Sequence, residues 1–87
     1  MFRRADGIGV QNVDGRAFLL DARGREMIVL NPVGTLVWDV LDTPSDPATI
    51  AAALVGHFDD VSSAQLERDV ADFLDELQRA GLVVADG

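Results

Sequence analysis

Glu26-Met27-Ile28-Val29-Leu30-Asn31-Pro32-Val33-Gly34-Thr35-Leu36-Val37-Trp38-Asp39-Val40-Leu41 holds the point at which the chain changes its hydrophobic period. Met27 to Leu30 are four consecutive apolar residues and read, with Glu26, as a short strand. Asn31 then offers a side-chain oxygen that caps a helix, and Pro32 falls at the first helical position, where its missing N–H is not needed. Val33, Leu36, Val37, Val40 and Leu41 recur at spacings of three and four with Trp38 beside them, which is a helical stripe.

Upstream of this switch the chain reads as strands. Val10 to Val13 leads into Asp14-Gly15, a dipeptide that tolerates positive φ at both positions and so suits a tight hairpin. Ala17 to Asp21 follows, then the Arg23-Gly24 turn, then Glu26 to Leu30. Short strands joined by glycine turns predict an antiparallel three-stranded meander. Gly7, Gly9 and Asn12 lower the propensity of the first strand.

Downstream it reads as helices. Asp42 to Ser45, with Pro44, ends the first. Asp46-Pro47 repeats the cap-then-proline signal, and Ile50, Ala53, Leu54 and Phe58 mark the second, with His57 near its end. Asp59-Asp60-Val61 is a short connection. Ser62 or Ser63 caps the third helix, whose apolar stripe is Leu66, Val70, Phe73, Leu74 and Leu77. Gly81 stops it, and Leu82 to Val84 folds back onto the core. The expectation is one α+β domain over residues 1–87, a three-stranded antiparallel sheet followed by three helices.

Composition bounds what such a domain does. At 87 residues, 48% of them hydrophobic, the chain has one core and hides roughly 60–65% of its unfolded surface. It has no cysteine, so disulfides, thiolate metal sites and a cysteine nucleophile are out, and a reducing cytoplasm fits. No apolar run approaches the roughly 20 residues of a membrane helix, and no apolar signal region follows Arg3-Arg4. The net charge of −8 and pI near 4.2 disfavour nucleic acid and anionic membranes and favour neutral or basic partners.

Side-chain catalysis needs nucleophiles, bases or metal ligands that converge. His57 is the one histidine, too little for a metal site, and reads as a structural residue at a helix end. Asp72 and Asp75 fall opposite the apolar stripe, Asp59-Asp60 lacks the spacing of a calcium loop, and the glycines make no phosphate cradle. The expectation is a binding protein without enzymatic activity, cofactor or metal.

A three-stranded sheet has two edges of unpaired N–H and C=O groups. If the third strand lies at an edge, Met27 to Leu30 protect it poorly against addition of a guest strand, with Glu26 at its start. Strand addition draws affinity from main-chain hydrogen bonds and specificity from side-chain pockets. The third helix supplies a second wall. With Leu66, Val70 and Leu77 near the centre of its stripe, Asp69, Phe73, Glu76 and Ala80 lie along one flank. An apolar lining bordered by two acids suits a peptide with apolar anchors and a nearby Lys or Arg.

Leu30-Asn31-Pro32 through Trp38 and Leu41, then Asp69-Val70, Phe73-Leu74, Leu77 and Gly81-Leu82, resemble in order and separation the PqqD-like family of peptide-recognition domains, over about Phe18 to Val83. These domains serve pathways that modify ribosomally made peptides. The resemblance implies a winged-helix-like fold. It implies also that a precursor's leader peptide pairs with the third strand and lies against the third helix, at Glu26 to Leu30 and at Asp69, Val70, Phe73 and Glu76. A chain of this length looks most like the leader-binding protein of lasso-peptide biosynthesis, which delivers the precursor to a leader peptidase and a cyclase. The sibling reading is a PqqD-type chaperone of a quinone-cofactor precursor.

Rival functions fare worse on the residues. A DNA-reading helix carries Lys and Arg, whereas the third helix carries Glu67, Asp69, Asp72, Asp75 and Glu76 against Arg68 and Arg79. An acyl carrier protein needs an Asp-Ser-Leu-like motif, which Ser62-Ser63-Ala64 is not. A general protein–protein adaptor would use the same groove.

Overall fold

The computed structural model describes residues 1–86, in the order β1 (Phe2–Arg4), β2 (Gly9–Val13), β3 (Arg16–Leu20), β4 (Met27–Val29), α1 (Pro32–Val40), α2 (Pro47–Leu54), a 3₁₀ turn (Val55–His57), α3 (Ser63–Arg79) and β5 (Val83–Ala85). The α+β meander-then-helices architecture is as expected from the residues, with β2-β3-β4 as the antiparallel sheet. Asp14 and Gly15 take φ of 51° and 79° in the β2–β3 hairpin, which matches the right-handed twist of the two strands.

Each helix begins at a side-chain cap. Asn31 Oδ1 accepts from the Gly34 N–H at 2.7 Å, Asp46 Oδ1 from Thr49 at 2.7 Å and Ser62 Oγ from Gln65 at 3.1 Å. Each satisfies an N–H that the first helical turn would leave orphaned. Gly81, at φ 78°, lets the chain turn out of α3 into β5.

The inner face of the sheet, Ala17 and Leu19, meets Val37, Trp38 and Leu41 of the α1 segment, Ile50 and Leu54 of α2, and Leu66, Val70, Leu74 and Leu77 of α3 in one buried cluster. Each large side chain so buried contributes roughly 1.5–3 kcal/mol. Leu74 lies at the centre of the α3 stripe with no exposure, so Leu74→Ala costs about 2–5 kcal/mol.

Three features depart from the sequence expectations. Phe2–Arg4 pairs antiparallel with Val83–Ala85, so the sheet-and-helix domain carries a second, two-stranded sheet that joins the chain's two ends. Arg4 reinforces it by stacking 4.7 Å over the Trp38 ring and donating to the Trp38 carbonyl at 2.6 Å. Phe58 is not helical: the chain leaves α2 through Val55–His57, and Phe58 is extended at φ −130°, ψ 136°. His57 accordingly sits in the short 3₁₀ turn. Ala53 is exposed and Ala51 takes the buried place, because Ala51 rather than Ala53 shares the inner side of the helix with Ile50 and Leu54.

Candidate functional site

β4 is the last strand of its sheet, and among the described residues no strand pairs with its other side. Its registration decides which groups it offers. Asp21 N–H donates to the Glu26 carbonyl at 3.1 Å and Leu30 N–H to the Ala17 carbonyl at 2.8 Å. Antiparallel ladders alternate, so Leu19·Ile28, midway between those pairs, is also a hydrogen-bonded pair. Met27 and Val29 therefore turn their N–H and C=O groups away from β3, towards the open edge. Their side chains stand on the outer face, 63% and 40% exposed, while Ile28 packs against the core.

The turn before β4 is held by Asp21. Its carboxylate accepts from the Arg25 N–H at 2.9 Å, and that bond chiefly holds the Asp21 carboxyl below the usual carboxylate range. Gly24, at φ 68°, closes the turn with its N–H on the Asp21 carbonyl at 2.9 Å.

Beyond β4 the chain passes through buried Leu30 to Asn31, and Asn31 lines a cavity of about 290 Å³. Strand edge and cavity thus adjoin. The walls are Val33, Gly34 and Val37 of α1, Leu66, Asp69, Val70 and Phe73 of α3, and Phe58 and Val61 from the segment between α2 and α3. Phe58 takes its extended conformation at this wall. All of these except Asn31 and Asp69 are apolar or glycine, so the cavity suits an apolar side chain with a polar or cationic neighbour at the rim.

Asp69 is exposed and accepts from Gln65 Nε2 at 2.9 Å. The wider field has the same sign. From Pro32 to the end the chain has eleven acids against two arginines, whereas up to Asn31 it has five arginines against four acids. The negative field thus belongs to the helical half, and a cationic group is drawn to that side.

The residues singled out in the sequence divide among three settings. Glu26 to Leu30 form the edge segment, with Leu30 buried. Leu66, Asp69, Val70 and Phe73 come together at the cavity, Leu66 and Val70 as its floor. Glu76 is exposed and Leu77 is 2% exposed in the core, and neither lines the cavity. Asn31, Val33, Gly34, Val37, Phe58 and Val61 were not foreseen there. The one available signal was Gly34, a glycine inside a predicted helix. Among the described residues no group of three or more His, Cys, Asp or Glu is placed to hold a metal, and no helix is long and apolar enough to cross a membrane.

No curated protein matches this chain in sequence. Two solved structures match it over nearly the whole length of both partners. The structure described as TbiB1 in complex with the TbiA(beta) leader peptide is 27% identical with a TM-score of 0.85, covering 97% of this chain and 99% of that one. A lasso peptide synthetase B1 complexed with the leader peptide is 30% identical with a TM-score of 0.83, covering 97% and 98%. The family model described as coenzyme PQQ synthesis protein D matches residues 16–83, the stretch that carries β3, β4, the three helices and the cavity, and on that match this chain belongs to the PqqD family.

Proposed function

We propose that this chain captures the leader peptide of a ribosomally made precursor as an added strand on β4, against α3, and delivers it to the leader peptidase and cyclase of a lasso-peptide pathway. The observation that carries the reading is the adjacency of an unpaired edge, presented by Met27 and Val29, to an apolar cavity with Asp69 at its rim. Main-chain bonds along the edge hold any extended peptide, and the cavity selects among them. The two solved leader-peptide complexes support it, since they share the fold over almost the full chain. The protein acts by binding, in the cytoplasm, without a cofactor.

A second reading rests on the family description itself: the same groove serving the precursor of a quinone cofactor. Titration calorimetry with leader peptides of both kinds separates the two. The first reading expects a Kd in the nanomolar to micromolar range, roughly −8 to −12 kcal/mol, for a lasso leader. Amide exchange in that complex should slow at Met27 and Val29. Binding without slowed exchange at those two amides counts against strand addition, and tighter binding of the quinone-type precursor favours the second reading.

A further inference from the structure

Gly34 lies at the third position of α1, and within a helix glycine costs about four- to fivefold in local stability relative to alanine. Its backbone does not call for glycine, because its φ lies outside the left-handed region. Space does. A Cβ at Gly34 would lie 2.9 Å from Phe73 Cζ, 3.3 Å from Phe73 Cε1 and 3.2 Å from Asn31 Oδ1. The Asn31 oxygen is fixed by its cap bond to the Gly34 N–H, so it does not move aside without loosening the start of α1. The Phe73 ring, half-buried on α3, is the group left to move, and it is a wall of the cavity.

We infer that Gly34 determines specificity: it lets the tip of the Phe73 ring pack close against α1, and so keeps the cavity broad enough for a large apolar side chain of the guest. This rests on the peptide-binding reading above and adds to it the size class of the anchor. At about 290 Å³ the cavity is at the small end of ligand sites, which begin near about 300 Å³, so it takes one bulky side chain rather than a larger molecule. A methyl group at position 34 pushes the ring into that space and leaves room only for small anchors.

The test uses indole as the probe, read by amide and methyl NMR shifts of the full chain. In the wild-type protein, indole should shift signals of Val33, Val37, Val61 and Phe73. Gly34→Ala should weaken that response by about tenfold or more, as expected for overfilling a packed contact. Gly34→Ala with Phe73→Leu should restore it, because the shorter side chain gives the methyl room. If Gly34→Ala alone does not fold, the double variant should fold and bind, and its failure to do so overturns the inference. Indole binding to folded Gly34→Ala within about twofold of wild type overturns it too, as does a wild-type response confined to residues outside the cavity. A wild type that answers indole but binds no leader peptide would instead sink the function proposed above while leaving the role of Gly34 standing.

Discussion

The buried Ala17 N–H donates to Thr35 Oγ1 at 3.0 Å, although Ala17 stands opposite Leu30 in the extension of the β3–β4 ladder. A helix side chain thus completes the sheet where β4 ends. Leu30 still donates to the Ala17 carbonyl, and Arg16 Nε donates to the Leu30 carbonyl at 3.1 Å. The chain can therefore leave the sheet at Leu30 and begin α1 at once, which brings the open edge beside the cavity.

Thr35→Val keeps the shape and removes the acceptor, leaving a buried N–H unpaired. It should cost about 1–3 kcal/mol in urea unfolding with an unchanged m-value, and Thr35→Ser should recover most of the loss.

The alternation along β4 separates two proline variants. Val29→Pro removes an outward N–H and should weaken leader binding by about three- to tenfold, with circular dichroism unchanged. Ile28→Pro removes a bond to Leu19 and should lower the melting temperature even without peptide. Equal calorimetric affinity for Val29→Pro and wild type would contradict strand addition.

Charge reversal should also split by position. Asp69→Lys places a cation at the cavity rim, and Glu76→Lys places one away from it. Both should shift the salt dependence of leader binding, Asp69→Lys more strongly, while both variants stay folded, as exposed charges allow. A larger effect at Glu76 would mean that the guest meets α3 further towards its C-terminus.

Acid should loosen the fold at two points. The Thr49 backbone N–H chiefly holds the Asp46 carboxyl below its usual range, as the Arg25 N–H does for Asp21. The unfolded chain then binds more protons than the folded one, so stability rises with pH through this window. The contribution is fully present above about pH 4 and fades as pH falls through the depressed folded values. Asp46→Asn should flatten the acid limb of a stability–pH curve, and Asp21→Asn should do so while also raising exchange at Arg25.

Much of this fold is local and hence readable in the residues. Asn31, Asp46 and Ser62 each cap the helix they precede, and Asp14-Gly15 takes the turn that its tolerance of positive φ favours. The β1–β5 pair is not local. Phe2-Arg3-Arg4 has no alternation, and its partner lies some eighty residues away, so nothing in either segment announces the other. Phe58 misled because it stands four residues after Leu54, a helical interval, yet the 3₁₀ turn Val55–His57 intervenes and Phe58 itself is extended. The edge strand could be seen as exposed and apolar. The cavity could not, because Val33 and Val37 of α1 meet Phe58 and Val61 from a segment some twenty residues later, and each by itself is indistinguishable from a core residue.

β4 is three residues long, and only Met27 and Val29 face outward. A guest strand therefore finds at most about four main-chain bonds, together about 2–6 kcal/mol, short of what tight capture needs. A handhold that brief is blind to the side chains crossing it. If leader capture runs as proposed, precursors are free to drift in most of their leader and still be recognised, provided the one bulky anchor keeps its place.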